Sequence, residues 1–241
     1  MKPSRALAAS RFVSVFALAI AASAAFAQAP EGKVYTLGPF DRLEVDGTAR
    51  ITLTQGERDQ VFVAGDAAVQ RGVEVQVTNH RLHIQSGGGW KFWNSDRLQI
   101  EVQVRQLSQL VLSGNGDVMA AGPFRSDQLA VSISGAGSVR FDRLTAGRLK
   151  FDISGAGDAQ LAGQVNELAL SVSGKGKLLA EQLRAGSASV SISGVGNANV
   201  WVTDTLKVSI SGVGTVDYWG QPEVRRSVSG LGSVNALGDK R

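Results

Sequence analysis

A tetrapeptide, Ser-Gly-x-Gly, recurs seven times in the second half of the chain, and no other feature limits the fold as tightly. The copies begin at Ser113, Ser134, Ser154, Ser173, Ser193, Ser211 and Ser229, at spacings of 21, 20, 19, 20, 18 and 18 residues. A repeat of about 20 residues is too short for a domain. It fits a stacked rung that buries its apolar side only against its neighbours.

Aligning the copies shows where side chains point. The residue before each motif is Leu112, Ile133, Ile153, Val172, Ile192, Ile210 or Val228. Two residues earlier stand Leu110, Val131, Phe151, Leu170, Val190, Val208 and Arg226, and the position between is mostly serine. After the glycines, Val118, Val139, Ala159, Leu178, Ala198, Val216 and Val234 form a second apolar column, with Ala120, Phe141, Leu161, Ala180, Val200, Tyr218 and Ala236 two residues on. Period-two alternation marks a half-buried strand. Each rung therefore reads as strand, glycine bend, strand and variable corner. The fold class expected is all-β, a right-handed parallel β-helix with 18 to 21 residues per rung. Two-sided and three-sided coils both fit that length.

The bend glycines are Gly114 and Gly116, Gly135 and Gly137, Gly155 and Gly157, Gly174 and Gly176, Gly194 and Gly196, Gly212 and Gly214, and Gly230 and Gly232. A sharp bend between short strands calls for positive φ, which glycine adopts freely. A phosphate-cradling loop would need a helix after the glycines, and a β-patterned segment follows every copy.

The N-terminal half is β-patterned without the motif. Phe40–Val45, Arg50–Thr54, Val61–Val63, Val73–Val77, Arg81–Ile84 and the alternating run from Arg97 to Arg105 read as strands. Turn signals stand at Asp46-Gly47, Gln55-Gly56 and Gly65-Asp66. Residues 34–105 are expected to be opening rungs or a cap, and 106–236 the solenoid, with a tail at 237–241. A separate small sheet domain at 34–105 is the alternative.

Residues 1–27 read as a signal peptide. Lys2, Arg5 and Arg11 precede an apolar run from Phe12 to Ala22, and Ala25-Phe26-Ala27 supplies small residues for cleavage. Residues 28–33 are a short linker. The full chain carries 25 Lys+Arg against 21 Asp+Glu. Three of those cations lie in residues 1–27, so the remainder holds 22 against 21, or +1. That balance gives no basic stripe for a nucleic acid. No second apolar stretch reaches membrane-spanning length. The expected location is the periplasm, or the outside of a bacterial cell. With no cysteine, stability comes from stacking rather than disulfides.

Chemistry is sparse. His80 and His83 are the two histidines, and their spacing puts them on opposite faces of a strand. Asp117 and Asp158 are the acids that follow the motif, too few for a repeating calcium site. Asp117, Asp152 and Asp158 do not form the adjacent carboxylate pair that glycan cleavage needs. No catalytic residue, metal site or cofactor is expected. Gly87-Gly88-Gly89 leads into Trp90-Lys91-Phe92-Trp93, a glycine-hinged aromatic loop. Trp90, Phe92 and Trp93 are the candidate ligand contacts, because an indole face offers a large apolar plane. Trp201 and Tyr218-Trp219 fit inner columns or corners.

The opening Gly38–Val45, the strand Ile51–Gly56, the Arg81–Ile84 segment and the serial Ser-Gly-x-Gly rungs resemble the auto-transporter adhesin head, or head GIN domain, family. The resemblance covers about Val34 to Ala236. It implies an exported bacterial β-helix with a role in adhesion, and brings no catalytic residues. The expected function is a non-enzymatic envelope protein, an adhesin or scaffold contacting an extended glycan or protein. A carbohydrate-active enzyme on the same fold and a homo-oligomer formed by rung stacking are the alternatives.

Overall fold

A computed structural model describes residues 31–86 and 98–240. The described chain is nearly all strand, wound into a parallel β-solenoid of about 6 turns. The repeat forms β8 (Gln109–Leu112), β9 (Asn115–Ile133), β10 (Ala136–Ile153), β11 (Ala156–Val172), β12 (Lys175–Ile192), β13 (Val195–Ile210), β14 (Val213–Trp219), β15 (Glu223–Val228) and β16 (Leu231–Ala236). Successive rungs pair in parallel with motif on motif: Gly137 stands opposite Gly116 on one side and Gly157 on the other.

The β10 rung shows three faces. Its inward residues are Val139 and Phe141, then Leu144 and Ala146, then Leu149, Phe151 and Ile153. Within each group the alternation is strict. Between groups, two consecutive residues face outward, at Asp142-Arg143 and Gly147-Arg148. The third corner is the motif itself. The inward columns stack into one dry core, where Phe124 meets Phe141 edge to face with ring centroids 5.3 Å apart.

The motif glycines are needed for closeness, not for handedness. None of the fourteen has positive φ, contrary to the bend argument from sequence. A Cβ on Gly155 would lie 2.0 Å from the Gly135 carbonyl oxygen. At this corner the N–H groups of Ser154 and Gly155 both donate to the Ile133 carbonyl, and Ala156 donates to Gly135. These bonds draw each rung onto the one before, leaving no room for a side chain.

The N-terminal region is threaded out of sequence order. β2 (Arg42–Asp46) and β3 (Thr48–Gln55) form a rung, bent at Gly47, that stacks directly on β8 and β9. β6 (Arg81–Ser86) and β7 (Leu98–Val104) form the next rung outward, although they come later in the chain. Leu43 thus stands between Leu82 and Leu110, and Ile51 between Ile100 and Val118. Three antiparallel strands lie outermost: β4 (Gln60–Ala64) on β7, β1 (Gly32–Thr36) on β4, and β5 (Val73–Thr78) on β6. Between β4 and β5, where only a turn was expected, lies α1 (Ala67–Arg71). The Asp66 carboxylate caps it by accepting from the N–H groups of Ala68 and Val69.

Candidate functional site: a glycine-floored groove

The motif corner presents two outward ridges along the solenoid. One is the x position of Ser-Gly-x-Gly, which reads Asn115, Ala136, Ala156, Lys175, Val195, Val213 and Leu231. The other is the position after the second glycine: Asp117, Ser138, Asp158, Lys177, Asn197, Thr215 and Ser233. Between them runs a strip of glycine backbone. Over the last three rungs this becomes an open groove of about 490 Å³. Val195, Val213 and Leu231 form one wall, Asn197, Thr215 and Ser233 the other, and Gly176, Gly196, Gly214 and Gly232 the floor. Leu231 is 77% exposed. Sequence alignment of the repeats displays the change from small or polar residues to larger aliphatic ones at the x position. It does not say that this column faces solvent, which follows only from the close-packed glycine floor.

The polar wall is tied rung to rung. Ser138 Oγ donates to Asp117 Oδ1 at 2.7 Å, the Lys177 N–H to Asp158 Oδ1 at 3.0 Å, and the Thr215 N–H to Asn197 Oδ1 at 3.2 Å. Asp152 pairs with Lys150 at 2.9 Å. The three acids considered for catalysis are thus engaged in structural contacts, and the fold does not gather them. His80 sits in the two-residue turn between β5 and β6, with φ of 61°, while His83 lies within β6 beside Gln76 and Glu44. Among the described residues no three His, Cys, Asp or Glu side chains gather as metal ligands. Among them, too, no helix is long and apolar enough to cross a membrane. Trp90, Phe92 and Trp93 lie outside the described residues, as do residues 1–27.

The aromatic residues of the late rungs divide. Tyr218 occupies an inward column, half-buried, in register with Val200. Trp201 and Trp219 are paired in register on the outer side of the first corner after the motif. At that corner the chain shortens. Val200 pairs with Ala180, but the next residue, Trp201, pairs with Arg184, so three residues of β12 have no counterpart. That cut corner removes three residues, and one is regained between Val202 and Thr205, so the repeat length drops from 20 to 18 residues.

The sequence matches, over residues 39–222, the family described as "putative auto-transporter adhesin, head GIN domain". The chain belongs to this family. Its fold is similar to that of several solved structures. A protein of Bacteroides fragilis described as a putative adhesin is 24% identical with a TM-score of 0.82, over 87% of this chain and 98% of that one. A Parabacteroides merdae putative adhesin is 22% identical, TM-score 0.66, over 88% and 97%. A Parabacteroides distasonis protein described as a putative lipid binding protein is 21% identical, TM-score 0.66, over 88% and 98%. At these identities the likeness is one of fold. No functionally curated protein matches the chain.

Proposed function

We propose that this member of the adhesin head family is an exported, non-enzymatic binding protein of the bacterial envelope that holds an extended glycan along the groove at its motif corner. The observation that carries this reading is the pairing of an apolar ridge with a hydrogen-bonding ridge over three successive rungs. A sugar chain has the same two-sided character, with C–H faces and hydroxyl edges, and repeats along its length as the rungs do. The ridges are fixed by backbone stacking, so little ordering cost falls on the protein when it binds. The groove is open and polar on one side, which suits a sugar chain better than an acyl chain, for which an enclosed apolar cavity is the usual site. Trp90, Phe92 and Trp93 are proposed as additional stacking contacts, from their sequence alone. The signal-peptide pattern of residues 1–27 supports export.

The test is binding to an array of envelope polysaccharides, comparing wild type, Val213→Glu and the Trp90→Ala/Trp93→Ala double variant. Val213→Glu places a charge on the apolar ridge at a 46% exposed site, where folding should tolerate it. Loss of binding in Val213→Glu alone places the glycan in the groove, and loss in both variants adds the aromatic loop. Retention of every polysaccharide by Val213→Glu removes the groove from the proposal. Release of reducing ends or unsaturated sugars from any polysaccharide would overturn the non-enzymatic reading.

A further inference from the structure

The cut corner of the late rungs holds a second arrangement, separate from the groove. Trp201 and Trp219 stand on the outside of successive rungs. The segment after β16 runs alongside them, with the Leu237 N–H donating to the Tyr218 carbonyl at 2.8 Å and the Gly220 N–H to the Gly238 carbonyl at 3.0 Å. Gln221 Nε2 reaches both oxygens of Asp239, at 3.2 and 2.9 Å. This course delivers the Lys240 ammonium to the two indoles, 5.4 Å from the Trp201 ring centroid and 5.3 Å from that of Trp219. Both distances are within cation–π range, and Trp is the strongest aromatic partner.

Lys240 fits this place poorly. Its Nζ is buried and has no hydrogen-bond partner. A primary ammonium carries three N–H donors, and burying them without acceptors is costly. One rung earlier, Glu181 lies in the three-residue stretch that the shortened corner leaves without a counterpart, and its Oε2 is also buried and unpartnered. Among the described residues three side-chain polar atoms share that condition, those of Lys240 and Glu181 among them. The site therefore offers two indole faces and no acceptor aimed at an N–H. Such a set favours a cation with no N–H at all.

We propose that Trp201 and Trp219 form a binding site for a quaternary ammonium group, and that Lys240 occupies it in the free protein as an internal competitor. A trimethylammonium spreads its charge over methyl groups that pack on both indoles and leaves no donor unsatisfied. Lys240 is held by few contacts. Gly238, with φ of 83° and open space where a Cβ would be, gives the segment a turn about which it can swing aside. The ligand could come from a soluble choline or betaine or from a phosphocholine lipid headgroup, which share this chemistry.

The experiment follows the indole N–H resonances of the purified protein by NMR during titration with tetramethylammonium and with choline. Methylammonium and sodium chloride at equal ionic strength serve as comparisons. Saturable shifts of the Trp201 and Trp219 signals are expected, assigned by Trp201→Phe and Trp219→Phe. Lys240→Met should tighten binding roughly three- to tenfold, because it removes the ammonium whose cation–π contact competes for the indole faces. Flotation with phosphatidylcholine but not phosphatidylglycerol vesicles would identify the headgroup as source, whereas saturable shifts without flotation would identify a soluble ligand. Absence of a saturable shift in the Lys240→Met protein overturns the proposal, as does methylammonium binding as tightly as tetramethylammonium. Neither result bears on the groove, whose glycan test reads a different surface.

Discussion

The two ends of the solenoid solve the same problem differently. A parallel stack must stop somewhere, and the last rung exposes both core side chains and unpaired backbone. At the N-terminal end the chain doubles back, and β1, β4 and β5 cover the outer rung in antiparallel pairing. The outer rung and the β4 strand that covers it are dry on their inner side: Val61, Val63, Ile84 and Ile100 are at most 1% exposed. At the C-terminal end nothing doubles back among the described residues. β15 pairs only with β13, and β16 only with β14. Val228, in the column whose other members are buried, is 41% exposed. There the sequence changes character instead. Arg226 takes the place held in earlier rungs by Val131, Phe151, Leu170, Val190 and Val208, and it is exposed. A charge on an inward column is a device by which sheet edges resist pairing. Antiparallel strands cover one end, and at the other Arg226 puts a charge on the inward column.

The comparison implies that stability is concentrated in the middle and N-terminal rungs. Phe151→Ala empties a fully buried column position between Val131 and Leu170. It should cost about 3–5 kcal/mol. Val228→Ala, in the last rung, should cost less than about 1 kcal/mol because much of that side chain already meets water. Urea unfolding of both variants checks the contrast, and equal losses would show that the last rung is as well packed as the core. Next in size is the lock on the N-terminal crossing, where the chain leaves β7 and passes over a rung to reach β8. Asp59 accepts from the Arg105 backbone N–H and Nε, each at 2.8 Å, and its side chain is 5% exposed. Asp59→Ala should cost about 1–3 kcal/mol, since it leaves the Arg105 N–H without its partner. A loss near zero in the same unfolding assay would mean the crossing is held by Gln55, whose side chain bonds the Arg105 and Arg125 carbonyls and the Arg125 N–H.

How much of this was legible follows from what each feature depends on. The repeat was legible because its period-two columns are local, and the same alternation that predicts strands also assigns their inward faces. The N-terminal threading was not. Leu43 and Leu82 are neighbours in the core, but nothing local in either strand states that the β6–β7 rung lies outside β2–β3. The helical turn α1 had its signal in Asp66 and in Gly72 after Arg71, but five residues are too few for a periodicity to outweigh the surrounding strands. The motif glycines were found for the wrong reason: bend strain was inferred, and rung-to-rung closeness is what excludes a side chain. In the groove, the switch to Val195, Val213 and Leu231 was visible in the aligned repeats. The meeting of Lys240 with Trp201 and Trp219 was not, because it depends on a cut corner and on the turn at Gly238. The candidate contacts Trp90, Phe92 and Trp93 stay a reading of the sequence.

The comparison of ends can also be reversed by a single substitution. Arg226→Val continues the aliphatic column to the open end and removes the charge from the β15 edge. Its effect on the isolated chain should be small, since the side chain is exposed. Its effect on association should be visible as a concentration-dependent rise in mass by sedimentation velocity, with wild type unchanged over the same range. If Arg226→Val and wild type sediment alike, the charge is not what guards this end.

The smallest effect lies in the N-terminal cap. The two N–H groups of Val69 and Ala68 that bond the Asp66 carboxylate hold its pKa below the usual carboxylate range, with Arg71 adding to the effect. The lowered value fixes the sign: the cap is fully present at neutral pH and is lost as pH falls through the depressed pKa. The amide signals of Ala68 and Val69 should therefore shift at a pH below that of an ordinary aspartate. Asp66→Asn, which caps without titrating, should flatten that shift and leave global unfolding unchanged. A titration of these amides at the ordinary carboxylate pH would mean that the cap is not formed in solution. The turn between β4 and β5 would then be held by the pairing of those strands alone.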